Sequence, residues 1–324
     1  MGYRLAMYGQ DLLLDLDQLQ FVARHVLAKG MKGAVGTAAS YSLLLSGRDL
    51  DPTALEASVL DQLGMSAFEI TGQTYPRKLD LLVTDLLACI AQSLYRFAFD
   101  LRIEQSPGFG ELAEPFGSRQ VGSSAMPFKR NPRTTERICS LGRYVLGLPA
   151  IAASNAAHSL LERTLDDSAA RRIFLPEGLL AVDEMLSLAR HVVDGLVVDE
   201  TAIARNLDAY GPFAATEVLM LTWVDRHGAS RQELHELIRT CSLEAWQAVR
   251  SGRPNPLADL IATAAFRAHV VPGDLDTVRR EVGALGGRAD VGSRVEQRAA
   301  RFATTMRSAV EGYAASEEQA GPSF

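Results

Sequence analysis

The chain has 324 residues, of which 33 are Lys or Arg and 39 are Asp or Glu, so its formal net charge is −6. This mild acidity argues against a nucleic-acid carrier, which usually shows a basic excess, although a local basic pocket can still hold a small anion. The cysteines Cys89, Cys139 and Cys241 lie far apart, which argues against a disulfide framework or a zinc site and favours a reducing, cytoplasmic setting.

Helical periodicity dominates the first part of the chain. Apolar residues recur at helical steps from Leu12 to Val26, and this spacing predicts a first helix that ends at Lys29-Gly30. A longer apolar series runs from Leu79 to Leu101, which predicts a long helix of a bundle. Because acidic and basic side chains interrupt this series, we expect it not to span a membrane.

Two further helical stretches follow, at about residues 132–160 and 168–197, with kinks or breaks expected at Pro149 and Pro176. From about Asp199 the helical pattern shortens, and glycine and proline separate its parts. Strand signals are nearly absent, so the sequence predicts an all-α fold. We expect a long helical bundle at residues 1–198 and a smaller helical C-terminal domain at residues 199–324.

The longest stretch without helical periodicity covers residues 106–131 and ends in Asn131-Pro132. Asn131 suits a helix N-cap, and Pro132 suits the first helical position. Two serines and two cations precede this helix start, and a helix N-terminus beside cations attracts carboxylate or phosphate. The spacing alone leaves two interpretations open, a capped surface loop and an anion-binding site.

Four segments of the sequence resemble one enzyme family. Residues 122–132 read Gly-Ser-Ser-Ala-Met-Pro-Phe-Lys-Arg-Asn-Pro, which resembles the signature loop of the fumarase/aspartase superfamily in the form typical of the adenylosuccinate lyase family. Three more segments resemble the same family in the same order: Lys-Gly-Ala-Val-Gly-Thr at 32–37, Ile-Thr-Gly-Gln-Thr-Tyr at 70–75, and Glu-Arg-Thr-Leu-Asp-Asp-Ser-Ala-Ala-Arg-Arg at 162–172. The resemblance implies an extended helical bundle that assembles as a homotetramer, with each active site built from three subunits.

The family's reaction is a β-elimination that releases fumarate from an N-succinyl nucleotide. In purine biosynthesis it converts adenylosuccinate to AMP and SAICAR to AICAR. Such a reaction needs a base, groups that stabilise the developing charge and an acid for the leaving nitrogen. The resemblance implies that Ser123 is the base, and that Lys129 and Asn131 hold the succinyl carboxylate. Because a serine hydroxyl is a weak base, it needs activation, for which Lys129, backbone N–H groups and exclusion of water are available.

The other substrate-binding residues implied by the resemblance are Gln73, Ser124 and Arg137 for the succinyl and nucleotide parts, and Arg163, Ser168 and Arg172 for the 5′-phosphate. A helix start with a serine hydroxyl suits an anion, and arginine forks match phosphate oxygens. The residues alone favour a capped helix flanked by solvated arginines, and the resemblance favours the phosphate site. Asp166 and Asp167 lack a third ligand at useful spacing, so we expect them to pair with nearby arginines and predict no metal and no cofactor.

The resemblance covers the helical bundle and the C-terminal domain, and it implies a further N-terminal domain ahead of Met1. In the family that domain supplies a Thr-His-x-Gln-Pro segment whose histidine is the general acid, and no histidine of this chain matches it. Three interpretations follow: part of an adenylosuccinate lyase, a related fumarate-releasing lyase, or a non-catalytic bundle subunit. The phosphate-binding stretch favours the first, and we expect weak or absent activity from the 324 residues alone.

The start of the chain lacks the apolar segment of a signal peptide. We therefore expect a cytoplasmic protein. Its expected partners are a small-molecule nucleotide substrate and further copies of the chain, with neither nucleic acid nor a membrane among them.

Overall fold

The computed structural model of the chain describes residues 1–117, 126, 128–161, 163–286 and 289–320. Within these ranges the chain forms thirteen helices and two short strands, so the prediction of an all-α fold is confirmed. The helices are α1 (Gly2–Ala23), α2 (Ala39–Leu44), α3 (Pro52–Gln62), α4 (Lys78–Glu104), α5 (Arg133–Val145), α6 (Leu148–Ala157), α7 (Asp167–Asp194), α8 (Glu200–Ala214), α9 (Thr216–His227), α10 (Arg231–Arg250), α11 (Leu257–Arg267), α12 (Leu275–Gly286) and α13 (Ala289–Ala320). The strands β1 (Leu112–Ala113) and β2 (Val197–Val198) pair antiparallel.

The chain divides into two compact units. The first contains Met1–Ile103, Glu114–Leu196 and the chain from Arg298, and the second contains Glu104–Ala113 and Val197–Gln297. The chain leaves the first unit close to the boundary expected near residue 198, but most of α13 belongs to the first unit. The assignment of 1–198 and 199–324 as the two domains stays a prediction.

The core of the first unit lies between α4, α5, α6 and α7. Its buried side chains include Leu94 of α4, Ile138 of α5 and Met185 of α7. Gly142 lets α5 approach α4 closely, because a Cβ atom there would lie 2.9 Å from the Tyr95 side chain. The central place of α4 in this core confirms the long helix predicted from its apolar series.

By length and composition alone, α4 is apolar enough to cross a membrane despite its charged residues. Half of the most apolar window of this helix is buried within the protein. Leu86, Leu87 and Ala98 are among the buried side chains. The apolar surface of α4 therefore supplies the core of a helical bundle, which accounts for its composition without a membrane.

The first helix lies between α4 and α13. It runs antiparallel to α4, because Tyr8 donates a hydrogen bond to Asp100 at 2.8 Å while Asp11 accepts one from Arg96 at 2.6 Å. Gly9 of α1 is buried against α13, where a Cβ atom would meet the side chain of Met306. This packing explains why the end of the chain returns to the first unit.

The prediction that the first helix ends at Lys29-Gly30 is wrong, because α1 ends at Ala23. Beyond that point Ala28 forms a parallel bridge with Ala67, and the backbone N–H of Ala28 donates to the Ser66 carbonyl at 2.9 Å. This pairing with a distant segment requires extended backbone, which a helix cannot supply. Helical periodicity in the sequence continues past the point at which tertiary pairing takes over.

The prolines have different outcomes. Pro149 lies in the first turn of α6, after the break between α5 and α6, as predicted. Pro176 lies inside α7, which continues through it without a break.

The second unit has its own core between α9, α10, α11 and α12, with Trp223 and Ile261 among its buried side chains.

Candidate active site

The segment at residues 32–37 lies directly against the segment at residues 70–75. Gly36 has a φ of 81°, and a Cβ atom at this position would clash with the carbonyl oxygen of Thr71. Only glycine fits both the left-handed backbone and this close approach. Thr71 is itself buried, and its hydroxyl donates to the carbonyl of Lys29 at 3.1 Å. Two of the four family-like segments are therefore in contact.

A buried ion pair joins Arg77, which lies just beyond the segment at residues 70–75, to Asp167 at the start of α7. The Nε atom of Arg77 donates to Oδ2 of Asp167 at 2.6 Å. The two side chains are only 8% and 4% exposed. Asp167 does pair with an arginine, but the partner lies 90 residues away in the chain, whereas we expected one of the arginines near Asp167.

A second ion pair joins the same two parts of the chain. Arg171 donates to Oδ2 of Asp80 at 2.5 Å through its Nε atom, and a second guanidinium nitrogen donates to the Tyr75 hydroxyl. The Tyr75 hydroxyl in turn donates to Oδ1 of Asp80 at 2.7 Å. The guanidinium carbons of Arg77 and Arg171 lie 4.8 Å and 5.4 Å from the centre of the Tyr75 ring, within the range of cation–π attraction.

The protonation states of this network are fixed by its surroundings. Burial and the hydrogen bond to Asp80 raise the pKa of Tyr75, so the phenol stays neutral and keeps its proton for that bond. Burial disfavours the charge of Arg171, but the hydrogen bond and the charge of Asp80 outweigh it and raise the pKa of Arg171. At neutral pH the Tyr75 phenol and the Arg171 guanidinium therefore both act as donors to Asp80.

A cavity of about 570 Å³ opens beside this network. One wall is formed by the chain between Ile70 and Lys78, and the opposite wall by the end of α6, including Ala153 and Ala157. The alanines and Leu81 make that part of the wall apolar, whereas Thr71 and Thr74 bring hydroxyl groups. The volume and mixed lining are those of a small-molecule site. Gln73 belongs to the same segment and is exposed to solvent.

The structure brings two of the three predicted phosphate-binding residues together. Arg172 hydrogen-bonds the Ser168 hydroxyl, and the same nitrogen donates to the Ser168 carbonyl at 3.2 Å. Arg163 precedes α7 and donates to the carbonyl of Thr164 at 3.3 Å. The backbone N–H of Ser168 already donates to the carbonyl of Leu165 at 3.1 Å, so it is engaged within the chain. Anion binding here would fall to the side chains.

The signature loop is only partly described. The predicted base Ser123 and its neighbour Ser124 lie outside the described residues. Lys129 is exposed, and its backbone N–H donates to the carbonyl of Met126 at 3.0 Å. The prediction that Asn131 caps the following helix is wrong, because Pro132 occupies the N-cap position of α5 without a side-chain cap.

An internal carboxylate takes the place of the expected anion at the start of α5. Glu114 accepts the backbone N–H of Thr134 at 3.0 Å and that of Thr135 at 2.9 Å. The Thr135 hydroxyl also donates to Glu114 at 3.1 Å. Glu114 is only 2% exposed. Sequence reasoning missed this cap because no local spacing links residue 114 to the helix that it closes.

Arg137 lies apart from the phosphate-binding residues within one chain. It is exposed on α5 and pairs with Glu184 of α7 at 3.4 Å. Glu184 is twelve residues beyond Arg172 on α7, about 18 Å along the helix axis. One copy of the chain therefore does not place Arg137 beside Arg172. Across the described ranges no three His, Cys, Asp or Glu side chains are arranged to hold a metal ion.

Solved structures share this fold. A fumarate lyase from Mesorhizobium has a TM-score of 0.72 at 21% identity, over 92% of this chain and 63% of that one. A 3-carboxy-cis,cis-muconate lactonizing enzyme from Pseudomonas putida has a TM-score of 0.70 at 23% identity, over 93% of this chain and 63% of that one. The chain has the fold of the fumarate lyases.

The sequence comparisons are more specific. A family model described as lyase matches residues 1–147, and one described as adenylosuccinate lyase C-terminus matches residues 212–290. The adenylosuccinate lyase of Schistosoma mansoni is 41% identical over 273 residues, which are 83% of this chain and 56% of the relative. That of Saccharomyces cerevisiae is 38% identical over 268 residues, 82% and 55% of the two chains. The chain belongs to the adenylosuccinate lyase family, and it spans about half the length of the curated relatives it matches.

Proposed function

We propose that this chain forms the bundle and C-terminal parts of an adenylosuccinate lyase. The reaction releases fumarate from N-succinyl nucleotides, converting adenylosuccinate to AMP and SAICAR to AICAR in purine biosynthesis. The observation that carries the proposal is the direct joining of the Gln73 segment to the start of α7 by the Arg77–Asp167 and Asp80–Arg171 ion pairs. These pairs bring together two segments with different predicted tasks, one for the succinyl part and one for the phosphate.

The nucleotide binds between these segments. The forked guanidinium groups of Arg163 and Arg172 and the hydroxyl of Ser168 hold the 5′-phosphate, which needs several charge-assisted hydrogen bonds. The neighbouring cavity, with its apolar wall and threonine hydroxyls, accepts the uncharged part of the substrate. Gln73 bonds to the succinyl part, and Ser124 and Arg137 complete the site.

The chemical step is an elimination across the bond between the succinyl carbon and nitrogen. Ser123, activated as its alkoxide, removes a proton from the carbon beside a carboxylate and becomes the hydroxyl, and the electron pair of the broken C–H bond moves into that carboxylate to give an aci-carboxylate. Lys129 and Asn131 stabilise the added negative charge through a salt bridge and a hydrogen bond. The electron pair then returns to form the carbon–carbon double bond of fumarate as the carbon–nitrogen bond breaks. The nitrogen takes a proton from a general acid, which the family carries in its N-terminal domain.

The active form is a cytoplasmic homotetramer with sites shared between subunits. Two features support this assembly. The separation of Arg137 from Arg172 along α7 leaves each chain with parts of different sites. The same helix also carries an exposed apolar face at helical spacing, made by Ile173, Leu179, Leu180, Leu186 and Val193. Such a face on a long helix favours packing against further copies.

Calorimetric titration with AMP tests the substrate class without requiring turnover. The chain should bind AMP, and Arg172→Ala should weaken binding by about tenfold or more, because a charge-assisted contact to phosphate is lost. Arg190→Ala is the matched control, since Arg190 lies on the same helix and is largely exposed. Equal AMP affinities for the parent and Arg172→Ala would contradict the assignment.

A further inference from the structure

The two ion pairs between the Tyr75 region and the start of α7 have opposite polarity. The first segment supplies the cation Arg77 and the anion Asp80, and α7 supplies the anion Asp167 and the cation Arg171. Each segment therefore gives one charge of each sign and receives the complementary one. A shift of either segment along the other would bring like charges together, so the pairing defines a single register.

Burying two ion pairs destabilises the folded protein unless other interactions compensate for the lost hydration. Removing charges from water carries a desolvation penalty, and apolar residues in their place would often stabilise a protein equally well. Here the cost is offset by additional hydrogen bonds. Tyr75 accepts from Arg171 and donates to Asp80, while both guanidinium groups lie within cation–π distance of its ring. One atom stays unbonded, since the buried Oδ1 of Asp167 has no hydrogen-bond partner, but the other bonds link the charges of the two segments into one directional polar network.

Three residues of the network, Asp167, Arg171 and Tyr75, lie within two positions of a residue proposed to bind substrate. Asp167 precedes Ser168, and Arg171 precedes Arg172. Successive helical residues point about 100° apart, so Arg171 turns towards Asp80 while Arg172 stays exposed and reaches Ser168. On the other segment, Tyr75 follows Gln73 by two residues. Movement at the ion pairs would be passed directly to the binding side chains.

We propose that Arg77, Asp80, Asp167, Arg171 and Tyr75 are positioning residues, which fix the phosphate-binding side chains of α7 against the Gln73 segment before substrate arrives. This inference rests on the proposed function, because it assigns a task to residues beside that site, two of which, Tyr75 and Arg77, also line the cavity. A purely structural network would behave differently. Its loss would lower thermal stability and leave the AMP affinity of the folded protein unchanged.

The test compares AMP binding by the parent chain and by Arg171→Gln in calorimetry. The guanidinium group of Arg171 is already bonded to Asp80 and Tyr75, so we expect its effect on AMP binding to pass through other residues. We expect Arg171→Gln to weaken AMP binding by about tenfold, within the range of coupling between members of one hydrogen-bond network. Arg190→Gln on the same helix, whose side chain is 85% exposed, should leave the affinity unchanged.

A double-mutant cycle with Arg172→Ala separates positioning from direct binding. If Arg171 acts by placing Arg172, then Arg171→Gln should have little further effect on AMP affinity once Arg172 is alanine. Full additivity of the two losses would overturn the proposal. So would an unchanged affinity in Arg171→Gln when Arg172→Ala alone weakens binding, and that result would leave the proposed function standing.

Tyr75→Phe keeps the test decisive if Arg171→Gln fails to fold. This change removes one hydroxyl and preserves the ring beside the two guanidinium groups. We expect it to weaken AMP binding by about threefold and to lose that effect in the Arg172→Ala background. A lower melting temperature of Tyr75→Phe with unchanged AMP affinity would show that the network only stabilises the fold, and would overturn the proposal. A parent chain that fails to bind AMP would instead contradict the proposed function itself.

Discussion

Glu114 accepts the backbone N–H of Thr135 at 2.9 Å, so that a side chain from outside the helix closes the N-terminus of α5. The same carboxylate accepts the N–H of Thr134 and the hydroxyl of Thr135. These bonds anchor the point at which the signature loop enters the bundle. They also occupy the helix end that, from its spacing alone, resembles an empty anion site.

Glu114→Gln should destabilise the protein by about 1–3 kcal/mol, because an amide offers one acceptor where the carboxylate offers two and brings a donor against buried N–H groups. Urea denaturation followed by circular dichroism measures the change. Glu236→Gln provides the control, since Glu236 is exposed and pairs with Arg239 on its own helix. Equal unfolding free energies for parent and Glu114→Gln would mean that the cap adds nothing.

Asp15 should make stability depend on pH in an unusual direction. Burial raises its pKa, the hydrogen bond with Ser93 opposes that shift, and the charge of Asp11 adds to it. A carboxyl group with a higher pKa in the folded protein holds its proton more tightly there than in the unfolded chain. Its contribution to stability is therefore greatest at low pH and is lost as the pH rises from about 4 through the folded-state pKa.

Asp15→Asn tests this sign, because it removes the titration and keeps the shape. The unfolding free energy of the variant relative to the parent should become more favourable as the pH rises from about 4 to 7. Asp17→Asn, on the exposed side of the same helix, is the matched control variant. A difference for Asp15→Asn that declines with rising pH would refute the assignment.

The exposed face of α7 predicts the assembly state. Leu180→Glu places a charge on a side chain that is 63% exposed in one copy of the chain and buried in the proposed tetramer. Light scattering should show that the parent has about four times the chain mass of 35.1 kDa and that the variant is smaller. Leu207→Glu, at a similar exposure of 65% on α8, should leave the mass unchanged. A monomeric parent at micromolar concentration would rule out this assembly.

Local patterns in the sequence predict much of the fold. The apolar series of α4 gives a long core helix, and Pro149 marks the start of α6. The end of α1 is missed, because Ala28 pairs with Ala67, a partner that no local pattern reveals. The return of α13 to the first unit is missed for the same reason, since it depends on the close approach of Met306 to Gly9.

The candidate site shows a similar division. The family-like motifs identify Gln73, Ser168 and Arg172, and the structure places the last two in contact. The residues beside them are not apparent from the motifs. Arg77 and Asp167 are 90 residues apart in the chain, so their pairing emerges only in the folded protein. The available sequence signal was the presence of charged residues beside the motifs, without an indication of which charges would pair.

The most direct test of the proposed lyase function is fumarate release from adenylosuccinate, followed by absorbance. The assay uses the chain fused to the family's N-terminal domain, which supplies the general acid, and compares it with the same fusion carrying Ser123→Ala. We predict that the fusion releases fumarate and that Ser123→Ala lowers turnover by about 10²–10⁴-fold while AMP affinity changes little, because a base acts chiefly in the transition state. A fusion that binds AMP and releases fumarate equally well with alanine at position 123 would contradict the assignment of the base, and a folded fusion that neither binds AMP nor releases fumarate would contradict the proposed function.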